Sequence, residues 1–336
     1  MRFVPVQAVV FGMVVFPLGI ALAQDCPELI GVEPSRSDFV TASGDYAYVG
    51  VEIGMRVVDV SDPAAPQAMG YTTFPDGVYH LAAAGDYVYL AAGSAGLRVV
   101  DVSNPGSPVE VGFDDTALAA TGVAVAGDYA FLADVDDGLR VLNISNPSAP
   151  AQVGFLQLSG KTFKVVISGD HAYVAADSAG LRVINISVPT LPVLAGVYDT
   201  PGFAQDVAVV GEHAFVADAS AGLRVVNIQN PNSPVEVGFF ETPGSATSVD
   251  IVGINAYLID LVESLWVVNV VDPTSPTEAG YYDTPGSTRQ IALDGGYAYA
   301  TDGFSGLEIF LQCSESVVFV DGFESGDTSA WSMTLP

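Results

Sequence analysis

Lysine and arginine are scarce in this chain: 10 of 336 residues, against 39 aspartates and glutamates. A net charge of −29 lacks the basic footprint that nucleic acid or an anionic membrane surface demands, so neither is an expected partner. Acidity of this kind serves solubility, with calcium or a basic partner as the functional alternative. Histidine occurs only as His80, His171 and His213, too scattered to make a metal cluster or a catalytic triad. There is no G-x-S-x-G, no phosphate-binding loop, no C-x-x-C and no H-E-x-x-H. No window of about ten residues carries a helical period of hydrophobicity. Beyond residue 23 no run of about 20 apolar residues offers a membrane span.

Glycine and proline, by contrast, are abundant (35 and 21), and half the chain is hydrophobic. That composition builds a large core and breaks it with regular turns. Residues 1–23 read as a targeting segment. Arg2 supplies the positive start, Val9 to Ile20 the apolar stretch, and Ala21-Leu22-Ala23 an A-x-A cleavage site. The expected product starts at Gln24, is soluble and exported, does not insert into a membrane, and carries a net charge near −30, since only Arg2 is lost from the 10 basic residues.

A glycine followed by a polar residue and an aromatic-rich strand recurs at Gly44, Gly85, Gly127, Gly169, Gly211, Gly253 and Gly295, in almost equal steps. So regular a period identifies a repeat architecture and outranks any local secondary-structure signal. In the unit around Gly211, Ala204 to Val210, His213 to Ala217, Leu223 to Ile228 and Val235 to Phe240 read as four strands. Glycine and proline turns separate them, because proline cannot donate to a ladder. Four antiparallel strands in a repeat of this length make one propeller blade. A sheet apolar on both faces needs a neighbour on each side, and only a closed ring gives every blade two. An open β-solenoid is the competing reading, but its rungs are shorter and need caps.

The last unit lacks a fourth strand after Leu307 to Leu311. The segment Cys26-Pro27-Glu28-Leu29-Ile30-Gly31 aligns with Ser233-Pro234-Val235-Glu236-Val237-Gly238 and supplies it. The fold expected is therefore all-β: a seven-bladed β-propeller of four-stranded antiparallel blades over residues 24–313, its last blade closed by the N-terminal strand. Residues 314–336 form a tail. In the same alignment Cys313 takes the place of Gln229 and Cys26 that of Ser233, across one turn. In an exported protein two such cysteines are expected to form a disulfide, the alternative being two unrelated buried thiols.

The third strands read Leu97-Arg98-Val99-Val100-Asp101-Val102, Leu139-Arg140-Val141-Leu142-Asn143-Ile144, Leu181-Arg182-Val183-Ile184-Asn185-Ile186 and Leu223-Arg224-Val225-Val226-Asn227-Ile228. With the S-[ND]-P-x-x-P turn that follows, this resembles the LVIVD-repeat family of exported bacterial proteins, over about residues 26–312. The resemblance implies a propeller at or outside the cell surface, secreted or periplasmic, and no activity. Met55-Arg56, Leu265-Trp266 and Leu307-Glu308 depart from the pattern. The tail around Asp321-Gly322-Phe323-Glu324-Ser325-Gly326-Asp327 is similar to a short C-terminal element of other exported bacterial proteins, which implies sorting or attachment; the alternative is a disordered acidic tail.

Antiparallel order puts the blade links and the turns between second and third strands on one face. Carboxylates gather there: Asp134, Asp136, Asp137, Asp177, Asp218, Asp260 and Asp302 in the turns, and Asp114, Asp115, Asp199, Glu241 and Asp283 in the links. Propellers bind at one such face. Asp134, Asp136 and Asp137, followed by Gly138, are the metal candidates, since hard oxygen donors and a turn glycine suit calcium. Asp-Gly turn chemistry is the plain alternative. Arg56, Arg98, Arg140, Arg182 and Arg224 share one repeat position, and are expected to pair with carboxylates rather than form a cationic ring. His80 stands alone on a first strand. Asp206 and Asp250 lie on inner strands that can face the channel, with nothing in sequence pairing them with a base or nucleophile.

No catalytic residue is assigned. The function expected is a non-enzymatic binding or scaffold module, most simply a monomer, that docks a protein or glycan partner on the acidic face. The opposing hypothesis is a carboxylate-based hydrolase or lyase, with calcium as its cofactor.

Overall fold

The computed structural model describes residues 26–115, 119–262 and 264–313. The expected targeting segment, residues 1–23, and the expected tail, residues 314–336, lie outside them. The described residues form 28 strands and no helix, arranged as seven four-stranded antiparallel sheets. Six sheets are consecutive in sequence. The seventh joins Gln290–Asp294, Tyr297–Thr301 and Leu307–Leu311 to the N-terminal strand Glu28–Glu33. Blades are numbered 1 to 7 from the innermost strand at Phe39–Ser43, so blade 7 is the one that contains both ends.

Seven hydrophobic clusters hold the sheets together, and each is shared by two adjacent blades. Val225 and Leu223 of blade 5, for example, pack with Leu258 and Val268 of blade 6, and Val49 and Val58 of blade 1 pack with Leu307 and Ile309 of blade 7. Seven interfaces between seven blades mean that the ring is closed. The near-continuous apolar third strands follow from this, because both of their faces are covered: Leu97, Val99 and Val100 are fully buried. Burying one such side chain stabilises the fold by about 1.5–3 kcal/mol.

The outer strands carry a mark of the same design. In each blade the register shifts in the outer strand, so that Val237 bulges between Glu236 and Gly238, and Ile30 between Leu29 and Gly31. Bulges twist an exposed edge away from pairing with other chains. The glycine beyond the bulge lets the next blade approach. A Cβ on Gly238 would run into the carbonyl oxygen of Pro273, and one on Gly280 into that of Cys26. The N-terminal segment thus reproduces the Pro-rich turn of a complete blade. Cys26 and Cys313 are disulfide-bonded, with Cα atoms 5.5 Å apart, and close a loop of 287 residues.

Candidate functional site

The inner strands surround an axial channel. Their channel sides have no partner strand, so their backbone N–H groups need other acceptors. Channel-facing side chains provide several. Val40 N–H donates to Gln290 Oε1 at 2.9 Å, Val249 N–H to Asp206 Oδ2 at 3.2 Å, and Leu293 N–H to Asp250 Oδ2 at 2.9 Å. Each of these bonds joins one blade to the next.

At the link end of the channel the first inner positions form one layer: His80, Gly122, Lys164, Asp206, Ser248 and Gln290, each one repeat from the next. Gly122 leaves no side chain between blades 2 and 4, and the Lys164 Nζ donates to His80 Nε2 at 2.5 Å. His80 Nδ1 faces the Val123 backbone, 3.1 Å from its carbonyl oxygen and 3.3 Å from its N–H nitrogen. Burial, and secondarily the Lys164 charge, hold the His80 imidazole well below its ordinary pKa, so it is neutral. On its other side Lys164 stands 3.7 Å from Asp206 Oδ1. Ser248 Oγ donates to Asp206 Oδ2 at 2.9 Å. Asp206 therefore has partners that the sequence did not reveal, and His80 is not alone.

Above this layer the channel opens into a cup of about 300 Å³. Phe39, Tyr79 and Phe163 wall it, and the His80, Lys164 and Asp206 side chains form its floor. The rings of Phe39 and Tyr79 are 6.2 Å apart. Below the layer a second space of about 380 Å³ is lined mostly by small apolar residues such as Ala82, Ala124 and Ala208. Asp250 is the carboxyl group there. Burial pushes it up to about 6, against the opposing effect of N–H donors from Ile251 and Leu293.

The turn carboxylates on the same face have a different occupation. Asp134, Asp218, Asp260 and Asp302 end second strands and are all buried. Asp218 accepts from Thr200 Oγ1 at 2.5 Å and from Gly202 N–H at 2.7 Å. Asp260 accepts from Gly244 N–H, and Asp302 from the hydroxyls of Thr284 and Thr288. These carboxylates fasten the blade links to the turns, and Asp302 Oδ2 is buried without a donor. Asp177 is held in a left-handed conformation (φ 48°), its backbone bonded in both directions to Ala204. Asp136 alone of the seven is exposed.

The turn expected to hold calcium is organised around a guanidinium instead. Arg140 Nε reaches Asp134 Oδ2 at 2.7 Å, and its Nη2 reaches Asp137 Oδ2 at 2.6 Å. Two of the three proposed ligands are thereby spent on an internal cation. Among the described residues no group of three or more His, Cys, Asp or Glu side chains is disposed to hold a metal ion.

The LVIVD repeat matches seven stretches: residues 36–73, 78–116, 119–156, 159–200, 201–242, 243–284 and 285–310. The chain belongs to the LVIVD repeat family. Each match of this LVIVD-repeat protein is one blade, and the last is short because its outer strand comes from the N-terminal segment. None of the curated proteins matches the chain in sequence. The crystal structure of a computationally designed protein, Ika8, superposes with a TM-score of 0.62 at 9% identity, over 85% of this chain and 99% of that one. At that identity the likeness is one of fold.

Within the LVIVD repeats, the recurrent arginine lies across the outer strand. Arg98 stacks on Phe113 at 4.7 Å and pairs with Glu110 and Asp115. Arg56 pairs with Glu33, Arg182 with Asp199, and Arg224 lies 3.6 Å from Glu236 and over Phe239. Trp266 takes this place in blade 6 and keeps the stacking, 5.5 Å from Tyr281. Glu308 takes it in blade 7, 2% exposed, with Oε2 meeting no donor.

Proposed function

We propose that this protein is a non-enzymatic binding module that acts outside the cytoplasm and receives its ligand, a protein or glycan group, at the link end of the channel. One observation carries the reading. The polar groups at the cup floor are committed to one another in a way that leaves a receptor and no nucleophile. The Ser248 hydroxyl donates to Asp206, and both ring nitrogens of His80 are engaged, by Val123 and Lys164. A serine nucleophile needs a free base within hydrogen-bond reach. A concave, aromatic-walled site with a few convergent polar groups is the ordinary form of a binding pocket. The disulfide supports an oxidising compartment.

The test uses the purified chain as bait against the native envelope and growth medium, alongside a Lys164→Ala variant. Capture by the parent that the variant loses supports the reading. Turnover on a panel of glycans and phosphoesters that disappears in Asp206→Asn or Asp250→Asn overturns it in favour of a carboxylate-based hydrolase or lyase.

A further inference from the structure

Resting on the binding-module reading, we infer that the cup receives a sugar acid, with its carboxylate on Lys164 and its ring between the aromatic walls. Three observations lead there. The first concerns charge. The arginines of the third strands are used up on carboxylates of outer strands, links and turns. Lys164 is placed differently. Its hydrogen-bond partner His80 is neutral and removes none of its charge. Asp206, at 3.7 Å, is beyond hydrogen-bond distance. That carboxylate already accepts from Val207 N–H at 2.7 Å, from Ser248 Oγ and from Val249 N–H. Lys164 therefore keeps N–H donor capacity at the floor of a cup, its charge balanced by the ion pair with Asp206. A second carboxylate would complete it, in a setting where charge-assisted hydrogen bonds are strong.

The second observation is an orphaned hydroxyl. Thr247 lines the cup, and its Oγ1 is buried and meets no partner within the protein. A buried polar atom of this kind calls for a ligand group or water. A hydroxyl-rich ligand suits it, and the side chain of Gln205 offers further polar atoms on the same wall.

The third is shape. The volume of about 300 Å³ fits one ring rather than an extended chain. Phe39, Tyr79 and Phe163 line it and supply aromatic surface. Together these features describe one carboxylate, several hydroxyls and one apolar ring face.

The experiment is calorimetric titration of the full chain with D-glucuronate, D-glucose and benzoate at neutral pH. Glucuronate should bind with an affinity that falls as salt is added, and glucose roughly tenfold or more weakly. Lys164→Gln should lose roughly tenfold toward glucuronate and little toward glucose, whereas Lys164→Arg, which keeps the charge, should retain most of it. Thr247→Val should weaken both sugars. Thermal melts of each variant separate loss of binding from loss of fold. Equal binding of glucose and glucuronate overturns the carboxylate assignment. Benzoate binding as tightly as glucuronate overturns the sugar ring. If none of the three binds while the envelope capture still depends on Lys164, the sugar-acid inference fails and the binding module stands. If capture fails as well, both fall.

Discussion

Glu308 follows Asp302 by six residues, the spacing that in blade 3 sets Arg140 against Asp134. Blade 7 thus buries two carboxyl groups where blade 3 buries an ion pair. The fold accommodates this by protonation. Burial, and then the nearby Asp302, push the Glu308 carboxyl up to about 7.

A pH dependence follows. Between its ordinary value of 4.5 and about 7, Glu308 holds its proton in the fold and loses it on unfolding. Its contribution is fully present below about 4.5 and is lost as pH rises through about 7. The linkage is worth roughly 2–3 kcal/mol over that interval. Asp250, held up to about 6, acts in the same direction, so the readout is the difference between parent and variant. The unfolding midpoint of the parent should fall from pH 5 to pH 8, and that of Glu308→Gln should fall less. Glu308→Arg should stabilise the protein at pH 8 by pairing with Asp302. Parallel curves for parent and Glu308→Gln would show that the group titrates normally.

Opening the Cys26–Cys313 bridge should be costly. It closes a 287-residue loop, for which the chain-entropy argument gives about 5.7 kcal/mol, and measured values commonly fall at about 2–5 kcal/mol. A Cys26→Ser, Cys313→Ser double variant should melt well below the parent, and reducing agent should lower the parent to the same midpoint. Failure of the parent to change mass on reduction and alkylation would remove the bridge from the account.

The outer-strand glycines should resist any side chain. Gly238→Ala would drive a Cβ into the Pro273 carbonyl, at a cost of about 1–3 kcal/mol. Gly106→Ala is the control. Its Cβ would meet only Asn104 Oδ1, at 3.7 Å, and its midpoint should stay within about 0.5 kcal/mol of the parent.

The buried turn carboxylates should matter for stability and not for binding. Asp218→Ala strands the Thr200 hydroxyl and the Gly202 N–H, a loss of roughly 2–4 kcal/mol in chemical denaturation. Exposed Asp136→Asn should change stability by less than about 0.5 kcal/mol. If Asp218→Ala folds normally and abolishes partner capture, the link-fastening role is wrong.

The blades were legible in the sequence because their determinants are periodic. Glycine turns, apolar third strands and proline turns return in every repeat, and ring closure follows from aligning Cys26–Gly31 with Ser233–Gly238. The cup was not legible because its residues are single departures, each unremarkable in its own blade. His80 looks like a stray strand histidine until it is read in one column with Lys164, Asp206 and Ser248, which stand at the same place in later repeats. That column was the available signal. The surroundings of the turn aspartates were not legible for the opposite reason. An Asp before a turn glycine has the same local sequence whether it faces water or a neighbouring link, and only burial between blades distinguishes Asp218 from Asp136.

The disulfide also sets how the domain bears load. The segments that precede Cys26 and follow Cys313 leave the ring at points whose Cα atoms are 5.5 Å apart. Tension applied between those segments passes from sulfur to sulfur and goes around the seven sheets. Tethered at one end and pulled from the other, the propeller would stay folded until the bridge itself was reduced.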